Sequence, residues 1–125
     1  MNPADLKYSK EHEWARVEGN TVIIGITEFA AEQLGDVVYV DLPAPGTEVG
    51  QFGKFGEIES VKTVSDLFSP VAGKIIEVND AVKDSPETVN SDTYGSGWLI
   101  KVEISDTAQL DGLMDAATYE SHISA

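Results

Sequence analysis

A chain of 125 residues, 42% of them hydrophobic, is one domain's worth of sequence with material for one modest core, and too apolar to be disordered throughout. Its 22 acidic against 8 basic residues give a formal charge of −14, which argues against nucleic acid and anionic membrane as partners and suits proteins that carry basic patches. With no cysteine and two histidines, the chain excludes disulfides, thiolate metal sites, a cysteine nucleophile and a multi-histidine metal site.

The start, Met1-Asn2-Pro3-Ala4-Asp5, has neither a basic-then-apolar signal nor an Arg-rich transit pattern, and no stretch approaches a membrane span. A cytoplasmic, bacterial location is expected. Residues 1–11 read as a polar lead-in. Val17, Val22, Ile23, Ile24 and Ile26 predict strands over about 12–18 and 21–27, joined at Gly19-Asn20, two residues that tolerate positive φ. Thr27 as N-cap, Glu28 in the first turn and Gly35 as a stop predict a helix over 28–34 that buries Phe29, Ala30 and Leu34.

Val37 to Leu42 is rich in β-branched residues and predicts a strand. Pro43-Ala44-Pro45-Gly46 is a turn. Short strands follow near 54–60, 63–68 and 72–79, with a bend at Pro70 and Gly73. Residues 80–96, with Pro86, Asn90, Gly95 and several Ser and Asp, read as a long partner-facing loop. Trp98, Ile100, Val102 and Ile104 alternate through a last strand, with Trp14 and Trp98 expected in the core. Beyond Asp106, helical spacing of Leu110, Leu113, Met114 and Ala117 predicts a helical segment over about 107–123, split near Gly112 and Asp115. The reading is a mainly β, single-domain chain over 1–125, its core at about 12–104, folded as a small barrel or sandwich.

The stretch from Glu57 to Phe68 has β-like spacing that resets at Val61-Lys62, where a hairpin tip is expected. Lys62 stands alone there, the only basic residue between Lys54 and Lys74, flanked by Glu59 and Asp66. Exposed hairpins often carry a solvated lysine, so this position is informative only in company. The carboxylate pairs Glu11/Glu13 and Glu57/Glu59 read as solvated strand faces rather than acid–base pairs in so acidic a chain. Ser60, Ser65 and Ser69 lack a glycine-elbow context and a nearby histidine. His12 reads as a surface histidine. No self-sufficient active site is visible, which suits a carrier modified on Lys62 better than an enzyme.

The company is an ordered set: Glu11-His12-Glu13-Trp14, Gly25-Ile26-Thr27, Leu34-Gly35-Asp36, Asp41-Leu42-Pro43, Gly56-Glu57, Glu59-Ser60-Val61-Lys62, Ser69-Pro70-Val71-Ala72-Gly73, Glu77-Val78-Asn79 and Gly97-Trp98-Leu99. Over residues 7–120 this set resembles the glycine cleavage system H protein family. The resemblance implies a flattened barrel-sandwich hybrid of the lipoyl/biotinyl-carrier type with short peripheral α-helices. It implies a non-catalytic, monomeric carrier with lipoate attached covalently to Lys62. Glu59, three positions earlier, is then read by lipoate-attaching enzymes, and Gly46 and Gly73, expected at turns, fix how the hairpin is presented. The arm would take an aminomethyl group from glycine decarboxylase (P-protein) to the aminomethyltransferase (T-protein), and dihydrolipoamide dehydrogenase (L-protein) would reoxidise it.

By the same resemblance Glu13 lies near the arm's end, where a carboxylate beside an apolar wall that includes Trp14 would hold the cationic amine. Some relatives have histidine where Gln33 stands, so a protonation role there is not carried over. Lipoyl domains of 2-oxoacid dehydrogenases usually present Asp-Lys and are shorter, and biotin carriers place methionine on both sides of the lysine. Val61 and Thr63 fit neither. A lipoyl donor serving other enzymes is not separated from a dedicated shuttle by these residues.

Overall fold

The computed structural model describes residues 3–124, so the expectation for Met1 and Asn2 within the polar lead-in lies outside the described residues. Two antiparallel sheets face one another. The larger has six strands in the order β1 (Lys7–Tyr8), β2 (Glu13–Glu18), β3 (Thr21–Ile26), β9 (Ile100–Ile104), β8 (Gly73–Val78) and β5 (Glu48–Val49). The smaller has three, in the order β4 (Val37–Asp41), β6 (Lys54–Ser60) and β7 (Val64–Phe68). Val22, Ile24, Ile75, Ile100 and Val102 from the first sheet pack with Val40, Ile58 and Leu67 from the second in one buried cluster. This is the unclosed barrel-sandwich that strand alternation predicts, because each sheet offers one apolar face and needs the other to cover it.

The first hairpin forms as expected, with Glu13 opposite Ile26 and Val17 opposite Val22. Only Gly19 takes positive φ in its turn. Helix α1 (Glu28–Leu34) begins and ends where its caps predict: Ala30 N–H donates to Thr27 Oγ1 at 3.2 Å, and Gly35 N–H donates to the Ala31 carbonyl at 3.0 Å. It buries Ala31 and Leu34, while Phe29 and Ala30 are only half-buried and turn to a groove.

Three expectations are corrected. The lead-in is not peripheral: Leu6, Tyr8 and Ser9 are buried, and β1 pairs with β2. Its cover is the C-terminal helix α4 (Ala116–Ser124), whose Tyr119 ring stacks on Tyr8 at 4.8 Å. Together with Trp14 and Ile23 these residues form a second cluster, built around the β3 side chain that alternation turns away from the first. The span 80–96 is not one loop, since it contains α2 (Asp80–Asp84), capped by Asn79, and α3 (Thr88–Ser91), each burying one valine. Trp98 lies before β9, half-buried with the Lys101 ammonium 5.0 Å from its ring, whereas Trp14 is fully buried and donates to the Thr93 carbonyl at 3.1 Å. The C-terminal segment is helical and split where expected, into a 3-10 stretch over Thr107–Gly112 and then α4.

Candidate functional site

The β6–β7 hairpin ends where the alternation resets, with Glu59 opposite Val64 and Lys62 exposed at the turn. Neither Val61 nor Lys62 takes positive φ, so the turn is not one of the primed types that match strand twist unaided. A side chain supplies the missing restraint. The buried Ser60 hydroxyl oxygen accepts from the backbone N–H groups of Lys62 and Thr63, both at 3.1 Å, and Ser60 N–H donates to the Thr63 carbonyl at 2.8 Å. In sequence Ser60 stands as part of the Glu59-Ser60-Val61-Lys62 motif and as an improbable nucleophile; its work is to tie the turn.

The tip also leans on the α1–β4 connection. Val61 N–H donates to the Asp36 carbonyl at 3.1 Å, and the Lys62 stem crosses Gly35, where a β-carbon would sit 3.1 Å from Lys62 Cε. That connection is held from α3: the Asn90 side chain donates to the Gly35 carbonyl at 2.8 Å and accepts from Val37 N–H at 2.9 Å. Asp66, expected beside Lys62, instead pairs with Lys54 at 3.2 Å, and Lys54 also meets Glu57 at 2.7 Å. All three are exposed, so the cluster adds little stability, but it leaves Lys62 without an ion pair among the described residues.

Between α1 and the hairpin runs a groove of about 600 Å³. Ile26, Phe29, Leu34, Ile58, Leu67 and Phe68 give it apolar walls, and Thr63 and Ser65 line its edge beside the tip. Glu13 lines it too and is not a solvated carboxylate: it is 2% exposed, unlike its expected partner Glu11, which is exposed. Ser9 Oγ donates to Glu13 Oε1 at 2.6 Å and accepts from Glu13 N–H at 3.2 Å. Burial pushes the Glu13 carboxyl up to about 8, against the lowering effect of hydrogen bonds from Ser9 and the Phe68 backbone, with the Glu11 charge adding to the rise. Trp14, expected in the groove wall, does not line it.

His12 at the groove is half-buried rather than a surface residue, and it adopts φ +70°. Its Nδ1 lies 2.7 Å from the Tyr119 hydroxyl, which lies 2.7 Å from Thr27 Oγ1, so α4 reaches both the groove and the cap of α1. Burial and then the neighbouring His122 hold the imidazole below its ordinary value, with Glu11 opposing. Gln33 lines the groove and is exposed.

Of the two glycines one stands where expected and the other does not. Gly46 is at a turn with φ +96°, and a β-carbon there would meet open space. Gly73 is in β8, opposite Val49 on one side and Ile104 on the other, and a β-carbon would come within 2.1 Å of the Glu103 carbonyl oxygen. Its constraint is close strand approach, not turn conformation.

Two facing sheets with a lysine at the tip of a smaller-sheet hairpin define a class of fold, the barrel-sandwich hybrid of the lipoyl/biotinyl-carrier type. Within that class the comparison is specific. The family model described as Glycine cleavage H-protein matches residues 6–125. A glycine cleavage system H protein from Symbiobacterium thermophilum is 60% identical over 119 residues, covering 95% of this chain and 93% of the relative. One from Myxococcus xanthus is 57% identical over 117 residues, covering 94% and 91%. The crystal structure of a glycine cleavage system H protein from Mycobacterium marinum superposes with a TM-score of 0.91 at 40% identity, covering 99% of this chain and all of that one. The chain belongs to the glycine cleavage H-protein family.

Proposed function

We propose that this chain is a non-catalytic carrier of the glycine cleavage system, with lipoate attached to Lys62. The observation that carries the reading is the pairing of an exposed lysine on a tied hairpin tip with an adjacent apolar groove that contains one buried carboxyl group. An amide-linked aliphatic arm suits that lining, since its methylenes would meet Ile26, Phe29, Leu34 and Leu67 while a polar end would meet Glu13. When attached, the lipoyl group supplies the disulfide–dithiol chemistry by which an aminomethyl group is taken from the decarboxylase, delivered to the aminomethyltransferase, and the dithiol returned to disulfide by dihydrolipoamide dehydrogenase.

What this chain's residues do is present, shelter and orient. Ser60 and the Asp36 carbonyl hold the tip, so the Lys62 amine is offered from a fixed backbone. Glu59, exposed three residues earlier, is available to the attaching enzyme. Gly46 keeps the turn after β4, and Gly73 keeps the close spacing of β8 and β9. The groove walls exclude water, and Glu13 gives up its proton to meet a cationic amine by a charge-assisted hydrogen bond. No helix among the described residues is long and apolar enough to cross a membrane, and we place the carrier in the cytoplasm as a monomer.

Mass mapping of peptides from the chain isolated from its native host tests the reading. Lipoate on Lys62 alone is the expected result, and lipoate on Lys54, on Lys74 or on no lysine overturns it.

A further inference from the structure

On the outer face of the smaller sheet, Tyr39 of β4 stands opposite Glu59 of β6, which stands opposite Val64 of β7. Cross-strand partners share a face, so these three side chains form one rung close to the hairpin tip. Tyr39 and Val64 are each 55% exposed, and Val61 at the tip is 69% exposed. A register shift between Val37 and Tyr39 turns Val38 to solvent as well, where regular alternation would leave only one of the two outside. Glu59 has no ion pair among the described residues.

Scattered exposed apolar residues are ordinary, and Val17, Phe52 and Ile76 are of that kind. The other four of the seven large exposed apolar residues, Val38, Tyr39, Val61 and Val64, gather around one carboxylate and the lysine that is modified. An enzyme that acylates Lys62 Nζ must bring its catalytic centre to a tip that is itself fastened to Asp36, so it covers the surface beside the tip. Partners that act on the far end of the arm have no such requirement. A carboxylate between apolar contacts is matched by a cationic side chain set in an apolar rim.

Resting on the carrier reading above, we infer that the Tyr39–Glu59–Val64 rung, extended by Val38 and Val61, is the docking surface of the lipoate-attaching enzyme. Tyr39 is its main apolar anchor, beside the Glu59 that the family resemblance already gives to that enzyme. The apolar members decide affinity for that enzyme rather than the chemistry of transfer.

The test compares unmodified wild type with Tyr39→Ser, Val64→Thr and the distant control Ile76→Ser as substrates of a lipoate ligase supplied with lipoate and ATP. The inference expects KM for the carrier to rise about tenfold in Tyr39→Ser and several-fold in Val64→Thr, with kcat within about twofold and the control unchanged. After exhaustive lipoylation, Tyr39→Ser is expected to accept cargo from the decarboxylase at the wild-type rate. Unchanged KM in both rung variants overturns the inference, as does an equal rise in Ile76→Ser. A loading defect confined to the decarboxylase assigns the rung to that enzyme and overturns it too. Val64→Thr preserves shape at an exposed strand position, so the test stands if Tyr39→Ser folds poorly. If wild type takes no lipoate on Lys62, the carrier reading itself falls, a result distinct from lipoylation that ignores the rung.

Discussion

Glu13 shows how one side chain can be read correctly in kind and wrongly in state. The expected carboxylate is a buried acid with its titration pushed up to about 8 from an ordinary 4.5. The folded chain therefore holds a proton that the unfolded chain releases. Stability from this group is full below about pH 4.5 and is lost as pH rises through about 8. Glu13→Gln keeps the shape of the neutral acid and removes that loss. Unfolding free energies from urea titration are expected to match wild type near pH 4 and to exceed it at pH 9, by on the order of 1–3 kcal/mol. A wild-type pH slope retained in the variant would remove Glu13 as its source. In protein loaded with cargo the sign of the effect reverses, because the amide is unable to ionise against a cationic amine. Ammonia release from isolated loaded Glu13→Gln is expected to be faster than from wild type, and equal rates would sink the protective role. Lys62 is simpler. Lys62→Arg keeps charge and exposure, so it is expected to abolish lipoylation while moving stability by less than about 0.5 kcal/mol. A large fall in the unfolding midpoint would show that the lysine stem on Gly35 is structural.

At the scale of elements, the hairpin is presented by a relay of short contacts rather than by its own turn alone. Helix α3 holds the 35–37 connection through Asn90, and that connection holds Val61. Asn90→Ala removes both side-chain hydrogen bonds and is expected to cost about 1–2 kcal/mol. Amide exchange at Val61 is expected to quicken by more than the global loss explains, and exchange that follows global stability alone would show that Ser60 suffices to hold the tip. The glycines separate on the same scale. Gly73→Ala forces β8 from β9 against the Glu103 carbonyl and is expected to cost more than about 2 kcal/mol. Gly46→Ala meets open space but keeps an unfavourable φ, for a loss of about 1 kcal/mol. Denaturant midpoints for the pair check the order, and a reversed order would return Gly73 to the turn role that its sequence context suggested.

For the whole molecule the net charge of −14 sets the long-range field. Association with partner enzymes is expected to weaken as salt rises, because exposed charges more than about 10 Å apart are screened at 0.1 M. Equal dissociation constants at low and high ionic strength would leave apolar docking, such as the Tyr39 rung, as the sole source of affinity. What the sequence alone determined is what rests on neighbours along the chain. Period-two alternation placed the longer strands, Thr27 and Gly35 marked both ends of α1, and the reset at Val61-Lys62 marked the tip. The two-residue strands β1 and β5 were missed because neither is long enough to show a period. The tertiary structure decided which faces are covered. Glu13 is buried because the chain just before it turns back to bring Ser9 against it, while Asn90 reaches residues more than fifty positions away and Tyr119 lies 107 residues from His12. Alternation tells which side chains share a face, but the protonation of an acid and the rigidity of a turn depend on what distant chain shuts out water.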